Sequence, residues 1–352
     1  GYYPQCNHFW SEKCPRKTGK KIKCRDCSSQ SWKKLDIAVL KKHLEGKAAD
    51  ASDVIGIYPL LPNDTCRFLV FDFDNHEKDT DKENTRNADE KWREEVEALR
   101  ESCRLNGIDA LTERSRSGRG AHVWIFFQNA VDASLARKFG FALLEKGAES
   151  VNLKSFEYYD RMLPAQDHIP DGGKSGRPGL GNLIALPLQG QALKEGNSAF
   201  IDENWNAYQD QWSELFRRQR LSKEFMETCI KNWQPVNPFE ETVENQDGKG
   251  QEQQGQQSQG KQDKECVKPW EQNREFLAED VDGKLMLTLS NLIYVDASNL
   301  KPRIQNRIRR MAAFANPVFY KNQAMGLSNF ANGRYIYLGQ DENDYIGIPR
   351  GL

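Results

Sequence analysis

Residues 244–265 (ENQDGKGQEQQGQQSQGKQDKE) contain no aliphatic or aromatic side chain. Such a stretch cannot bury enough surface to offset the entropy of ordering it, so it reads as a linker and the fold must form on either side of it. At about 5–6 Å × √n it holds its two ends within about 25 Å of each other on average. With its flanks the linker is set at residues 236–268. It separates a cysteine-rich start (1–45) and a central region (46–235) from a final module (269–352) rich in Asn, Arg and aromatic residues.

The chain has 352 residues, of which 38% are hydrophobic, enough for a sizeable core. Its 50 basic and 51 acidic side chains give a net charge of −1, so it is no generic polycation, although local charge can still bind nucleic acid. No apolar run approaches the roughly 20 residues that cross a bilayer, and no signal-peptide pattern is present. The expectation is a cytoplasmic protein with no membrane partner.

Four of the eight cysteines, Cys6, Cys14, Cys24 and Cys27, fall in the first 27 residues. A disulfide framework would spread its cysteines across a small secreted domain, whereas a cluster at one end of a long chain reads as metal ligation. The CxxC pair supplies two thiolates from one tight turn, and the other two complete a tetrahedral Zn²⁺ site. His8 is read as a bystander. Lys13, Arg16, Lys17, Lys20, Lys21, Lys23 and Arg25 lie between the ligands, a basic loop suited to a phosphate backbone.

In the central region Arg67–Asp74 (RFLVFDFD) and Ala121–Phe127 (AHVWIFF) read as strands, and Leu183–Leu188 as a third. Residues 88–106 and Ala133–Lys146 read as helices, stopped by Gly107 and Gly147. This alternation predicts an α/β or α+β layered fold. Strand side chains two apart share a face, so Asp72 and Asp74 point one way and Phe71 and Phe73 the other, into the core. Adjacent carboxylates of this kind hold Mg²⁺ or Mn²⁺ through oxygen. Upstream of the second strand lies a basic, glycine-rich turn. There the backbone N–H groups around Gly118 and Gly120, the Ser117 hydroxyl and the Arg119 guanidinium can face an anion. His122, nearest the turn and on one strand face with Trp124 and Phe126, can reach the same phosphate. Two-metal nucleotidyl transfer asks for a third carboxylate. Asp160 and Asp167 are the candidates, and Asp160 is preferred because it comes after the aromatic run Phe156–Tyr159 as a strand-end ligand should.

On these residues, the sequence resembles the archaeo-eukaryotic primase superfamily, through Phe71–Asp74, Ser117–Trp124 (SGRGAHVW) and Tyr159–Asp160. More closely, it resembles the primase-polymerase of TOTE conflict systems. IGIYPLL (Ile55–Leu61), DRMLPAQD, GNLIALPLQ, FANPVFYKNQAM (Phe314–Met325) and IPRG (Ile348–Gly351) carry this likeness, along with the cysteine pattern. The charged stretch Asn75–Glu90 and the Gln-rich linker depart from it as surface expansions. The resemblance implies an α+β catalytic core with an RRM-like sheet, a zinc-binding module before it and a small module after it. It implies two divalent ions on Asp72, Asp74 and Asp160, and a triphosphate held by Ser117, Arg119 and His122. The implied partners are a single-stranded or primed nucleic-acid template, NTP or dNTP, and a helicase in cis or in trans. The rival classes are a metal-dependent nuclease and a non-catalytic zinc-containing nucleic-acid-binding adaptor.

Of the remaining segments, Trp205, Tyr208, Trp212, Leu215 and Phe216 form a near-helical stripe expected to pack on the core. Lys301–Arg310 (KPRIQNRIRR) carries five cations in ten residues, a pattern for a template-binding helix or a solvated face. Tyr335–Leu338 reads as a small strand.

Overall fold

A computed structural model describes residues 6–22, 24, 27–49, 51–75, 82–150, 158–169, 181–233, 281, 283–325, 332–333 and 335–351. The expected linker lies outside them. In chain order the elements are α1 (Ile37–Glu45), β1 (Gly56–Ile57), β2 (Thr65–Asp74), α2 (Lys82–Leu105), β3 (Leu111–Arg114), β4 (Gly120–Asp132), α3 (Ala133–Ser150), β5 (Tyr159–Leu163) and β6 (Ile184–Ala185). Next come α4 (Gly190–Lys194), β7 (Phe200–Ile201), α5 (Gln211–Arg217) and α6 (Lys223–Trp233). The C-terminal part holds β8 (Leu287–Leu289), β9 (Ile293–Asp296), α7 (Pro302–Met311), β10 (Ala313–Ala315), α8 (Pro317–Met325), β11 (Tyr335–Tyr337), β12 (Gln340–Glu342) and β13 (Tyr345–Ile348).

The chain is mixed α/β with antiparallel sheets. Its central sheet has five strands in the order β5-β2-β4-β3-β7, every neighbouring pair antiparallel. Because β2 and β3 both flank β4, α2 must cross from one to the other. By the same logic α3 crosses from β4 to β5, giving a β-α-β-β-α-β order around one sheet.

Alternation along β2 and β4 decides which face is which. Leu69, Phe71 and Phe73 of β2, with Val123, Ile125 and Phe127 of β4, are buried on the helix-covered face. There they meet Trp92, Val96, Leu99 and Cys103 of α2, Phe139 and Leu143 of α3, and Met226 of α6. Each large apolar side chain removed from water contributes about 1.5–3 kcal/mol, so this face holds the sheet in place. On the opposite face Val70, Leu111, Trp124 and Leu163 pack against Ile184, Leu188 and Phe200. The next positions along that face, Asp72 and His122, are polar.

The cover of this second face is tied down by α1 and α4. A Cβ on Gly190 would lie 2.2 Å from the Leu44 carbonyl oxygen, so only glycine permits this approach. Buried His43 completes the tie: its Nδ1 accepts from the Ile55 N–H at 3.2 Å, leaving Nε2 to donate to the Pro187 carbonyl at 3.0 Å.

The C-terminal part forms a sheet in the order β12-β13-β9-β8, with Ile304 and Ile308 of α7 packed on Val295 and Ile346. Part of this C-terminal segment also packs on the central fold. Phe319 of α8 is buried in the core beneath the central sheet, stacked on Tyr159 with ring centroids 6.0 Å apart, and Tyr320 meets the Phe141 ring at 5.9 Å.

Several expectations change. The helix expected to stop at Gly147 runs to Ser150, because glycine only weakens a helix whose neighbours pack well. The strand expected over Leu183–Leu188 is only Ile184–Ala185, and it pairs with Gly56–Ile57 in a separate two-stranded sheet. The aromatic stripe is not one helix. Trp205 packs edge-on against Trp92 at 5.1 Å, while Trp212 and Phe216 are 47% and 78% exposed and stack on each other. In α7 the expected free face is partly structural, since Arg309 pairs with Asp341 at 2.8 Å with both side chains largely buried.

Candidate active site

The register of the central sheet brings four strands to one polar row. Asp72 lies opposite His122 on β4 and opposite Arg161 on β5, and His122 lies opposite Glu113 on β3. The row therefore reads Glu113, His122, Asp72, Arg161 across the sheet.

Asp160 joins it through an irregularity. Phe73 pairs with Tyr159 and Asp72 with Arg161, so Asp160 is the extra residue of a bulge. Tyr159 keeps to the helix face beside Phe73, with ring centroids 5.9 Å apart, and the bulge re-aims the residues after it. Arg161 Nε donates to Asp160 Oδ2 at 2.7 Å, and the same nitrogen lies 3.9 Å from Asp72 Oδ2. One guanidinium thus neutralises two carboxylates, one of them, Asp160, only 5% exposed.

Asp74 ends β2, where its N–H donates to the Tyr158 carbonyl at 3.0 Å and its Cα faces Gly120. Asp167 goes elsewhere. It pairs with Arg137 of α3, and its neighbour His168 binds Asp64, just before the start of β2. From Asp64 to Asp72 is about 26 Å along a strand, so Asp167 stands at the opposite end of β2 from Asp72.

His122 Nε2 is 3.4 Å from Asp72 Oδ1, and Nδ1 is 2.9 Å from Glu113 Oε2. Burial alone would lower the pKa of this imidazole. The charge of Glu113 and the hydrogen bonds and charge of Asp72 outweigh burial and raise it well above the usual histidine value. Glu113 is the member that sequence reasoning missed. The signal lay in LTER–SRSGRG–AHV read as a hairpin: with a six-residue connection Arg114 faces Ala121 and Glu113 faces His122.

The turn joining β3 to β4 differs in one respect from the expected anion cradle. The Gly118 N–H donates to the Ser115 carbonyl at 3.0 Å and the Arg119 N–H to Ser117 Oγ at 3.3 Å, so both are spent inside the turn. Gly118 is required by its φ of +74° and by the Asn197 side chain 2.7 Å from where a Cβ would stand. Gly120 is required by the Phe73 carbonyl, 2.1 Å from a Cβ there. The Asn75 N–H donates to the Arg119 carbonyl at 2.9 Å, fixing the turn beside the end of β2. The Ser117 hydroxyl also lies 3.0 Å from Ser115 Oγ, and His122 Nε2 faces Asp72, so an anion entering here would have to exchange for these contacts.

In the N-terminal segment an isolated bridge pairs Cys6 with Trp32, folding the segment back on itself. Cys6 Sγ accepts from the N–H groups of His8 and Ser31, both at 3.4 Å. The backbone N–H of Trp10, against the opposing effect of burial and with help from Arg16 and Lys17, lowers the Cys14 thiol pKa. The Cys27 N–H donates to the Cys24 carbonyl at 3.3 Å, closing the CxxC turn. The Trp10 N–H at Cys14 favours the thiolate, the form that ligates Zn²⁺. His8 is held through Nδ1, 2.7 Å from the Ser29 carbonyl. Among the described residues no three His, Cys, Asp or Glu side chains stand grouped to hold a metal ion as placed. At the sheet end the donor chemistry, carboxylate oxygens, suits hard divalent ions, and Arg161 is the group such ions would have to displace.

Among the described residues no helix is long and apolar enough to cross a membrane. Residues 1–229 match the model of the family described as the TOTE conflict system archaeo-eukaryotic primase domain. A comparison with curated proteins found no match.

Proposed function

The chain belongs to the archaeo-eukaryotic primase family of TOTE conflict systems, and from that premise we propose that it is a template-dependent primase-polymerase. It adds nucleotides from NTP or dNTP to a 3′-hydroxyl. The observation that carries this reading is the meeting of Asp72, Asp160 and His122 at one sheet end, beside the Ser117–Gly120 turn. The β-α-β-β-α-β order supports an RRM-like sheet as the platform.

In this reading Asp72, Asp74 and Asp160 hold two Mg²⁺ or Mn²⁺ ions, with Arg161 released from Asp160. When bound, these ions lower the pKa of the attacking hydroxyl and neutralise the leaving pyrophosphate. The protein's own groups orient the nucleotide. Arg119 forks onto phosphate oxygens, Ser117 donates its hydroxyl, and His122 presents Nε2 to the same anion. Cys6, Cys14, Cys24 and Cys27 hold a structural Zn²⁺, and the basic loop between them tracks the backbone of a single-stranded or primed template.

The test is incubation with primed template, labelled nucleotides and Mn²⁺. Longer chains are expected, and Asp72→Ala abolishes them while leaving the unfolding transition in place. Shortened chains would mark a nuclease. Salt-sensitive binding with no synthesis, unchanged by Asp72→Ala, would mark a non-catalytic adaptor.

A further inference from the structure

Glu113 is 1% exposed, in the middle of the sheet, and no step of the proposed nucleotidyl transfer uses it. A carboxylate so buried is tolerated only where donors surround it. Its Oε2 accepts from two rings at once, His122 Nδ1 at 2.9 Å and Trp124 Nε1 at 3.0 Å. Its Oε1 lies 3.5 Å from Ser198 Oγ, itself anchored by the Gln189 N–H at 3.2 Å.

The Trp124 indole N–H can only donate, which makes Glu113 Oε2 an acceptor, so the hydrogen of the 2.9 Å contact resides on His122 Nδ1. Turning the ring over would set a carbon against Glu113 and leave a buried oxygen short of a donor. Trp124, two positions along the same strand face, prevents the carboxylate from swinging aside. The His122 ring can then face only one way, with Nε2 toward Asp72.

We propose that Glu113 is a positioning residue which, clamped by Trp124, fixes the orientation of the His122 ring and keeps a hydrogen on its Nδ1, and so sets the grip on the nucleotide's phosphates. This deepens the primase-polymerase reading and rests on it for the identity of the ligand. Glu113 touches no substrate itself. Ring-orienting partners of functional histidines typically contribute 10- to 100-fold when a metal is the ligand, and an effect of about tenfold or more is expected here.

Glu113→Gln keeps the shape and removes the charge. Glu113→Asp keeps the charge and withdraws the oxygens by one methylene, so it serves where the first variant folds poorly. Two quantities decide the matter, read on the full chain. One is the equilibrium binding of a nucleoside triphosphate with Mn²⁺. The other is the ¹⁵N spectrum of the His122 ring, which reports the Nδ1 proton with no nucleotide or metal present. The expected result is binding weakened about tenfold or more, loss of the fixed Nδ1–H signal, and no further weakening when Glu113→Gln is added to His122→Ala. Binding within twofold of the parent together with an unchanged ring signal overturns the proposal, as does a loss that persists undiminished in the His122→Ala background. A parent protein that binds no nucleoside triphosphate overturns the functional reading, while the ring spectrum still decides whether Glu113 holds His122.

Discussion

At the residue scale, the glycine turn shows how one motif can be read twice. Gly118 and Gly120 suit a phosphate cradle on paper, yet each is explained by something nearer: a positive φ and an Asn197 side chain, or the Phe73 carbonyl. Gly120→Ala should therefore destabilise the protein with no nucleotide present, by about 1–3 kcal/mol or more, because the Cβ collides with backbone. Urea unfolding of the ligand-free protein measures it, and a change seen only in nucleotide affinity would count against this account. The thiols separate in the same way. Burial pushes Cys66 and Cys103 up to about 12, whereas Cys14 is lowered by backbone donors. Metal-free protein at mildly alkaline pH should be alkylated first at Cys14, with Cys66 and Cys103 protected until unfolding. Added Zn²⁺ should then slow alkylation at Cys6, Cys14, Cys24 and Cys27 together. Protection of Cys14 alone would count against a four-thiolate site.

At the scale of elements, legibility in the sequence comes from period. The two buried strands and the helix face of Trp92, Val96, Leu99 and Cys103 repeat at 2 and 3.6 residues, and local pattern alone places them. The sharing of one face by His122 and Trp124 is equally a matter of alternation. The features that stayed hidden depend on contacts between segments. Asp160 and Asp72 share the Arg161 guanidinium because β5 carries a bulge, and an extra residue leaves no mark on hydropathy. Glu113 meets His122 because a hairpin register places it there, a pairing that can be read only once the length of the connection is known. Asp160 and Asp167 are separated only by the Arg137 pairing, which holds the second at the far end of β2. The stripe from Trp205 to Phe216 misleads because turns interrupt it, so its aromatics divide between the core and the surface.

At the scale of the whole molecule, the decisive fact is that chain beyond residue 300 packs beneath the central sheet. Phe319 is 1% exposed against Tyr159, the residue before Asp160, and the Tyr335 hydroxyl donates to Glu145 Oε1 of α3 at 3.1 Å. The family match ends at residue 229, so this packing adds to the central fold from outside the matched region. Phe319→Ala removes a ring from a closed interior and should cost about 3–5 kcal/mol. Because that ring backs Tyr159, the loss should also loosen the bulge that aims Asp160. Val318, half exposed on the same helix, supplies the control: Val318→Ala should stay within about 0.5 kcal/mol. Denaturant unfolding, observed through the tryptophans of the central sheet and α2, distinguishes the outcomes. An independent accessory module would lose Phe319 without moving that transition, whereas a shared core lowers its midpoint and carries primer extension down with it.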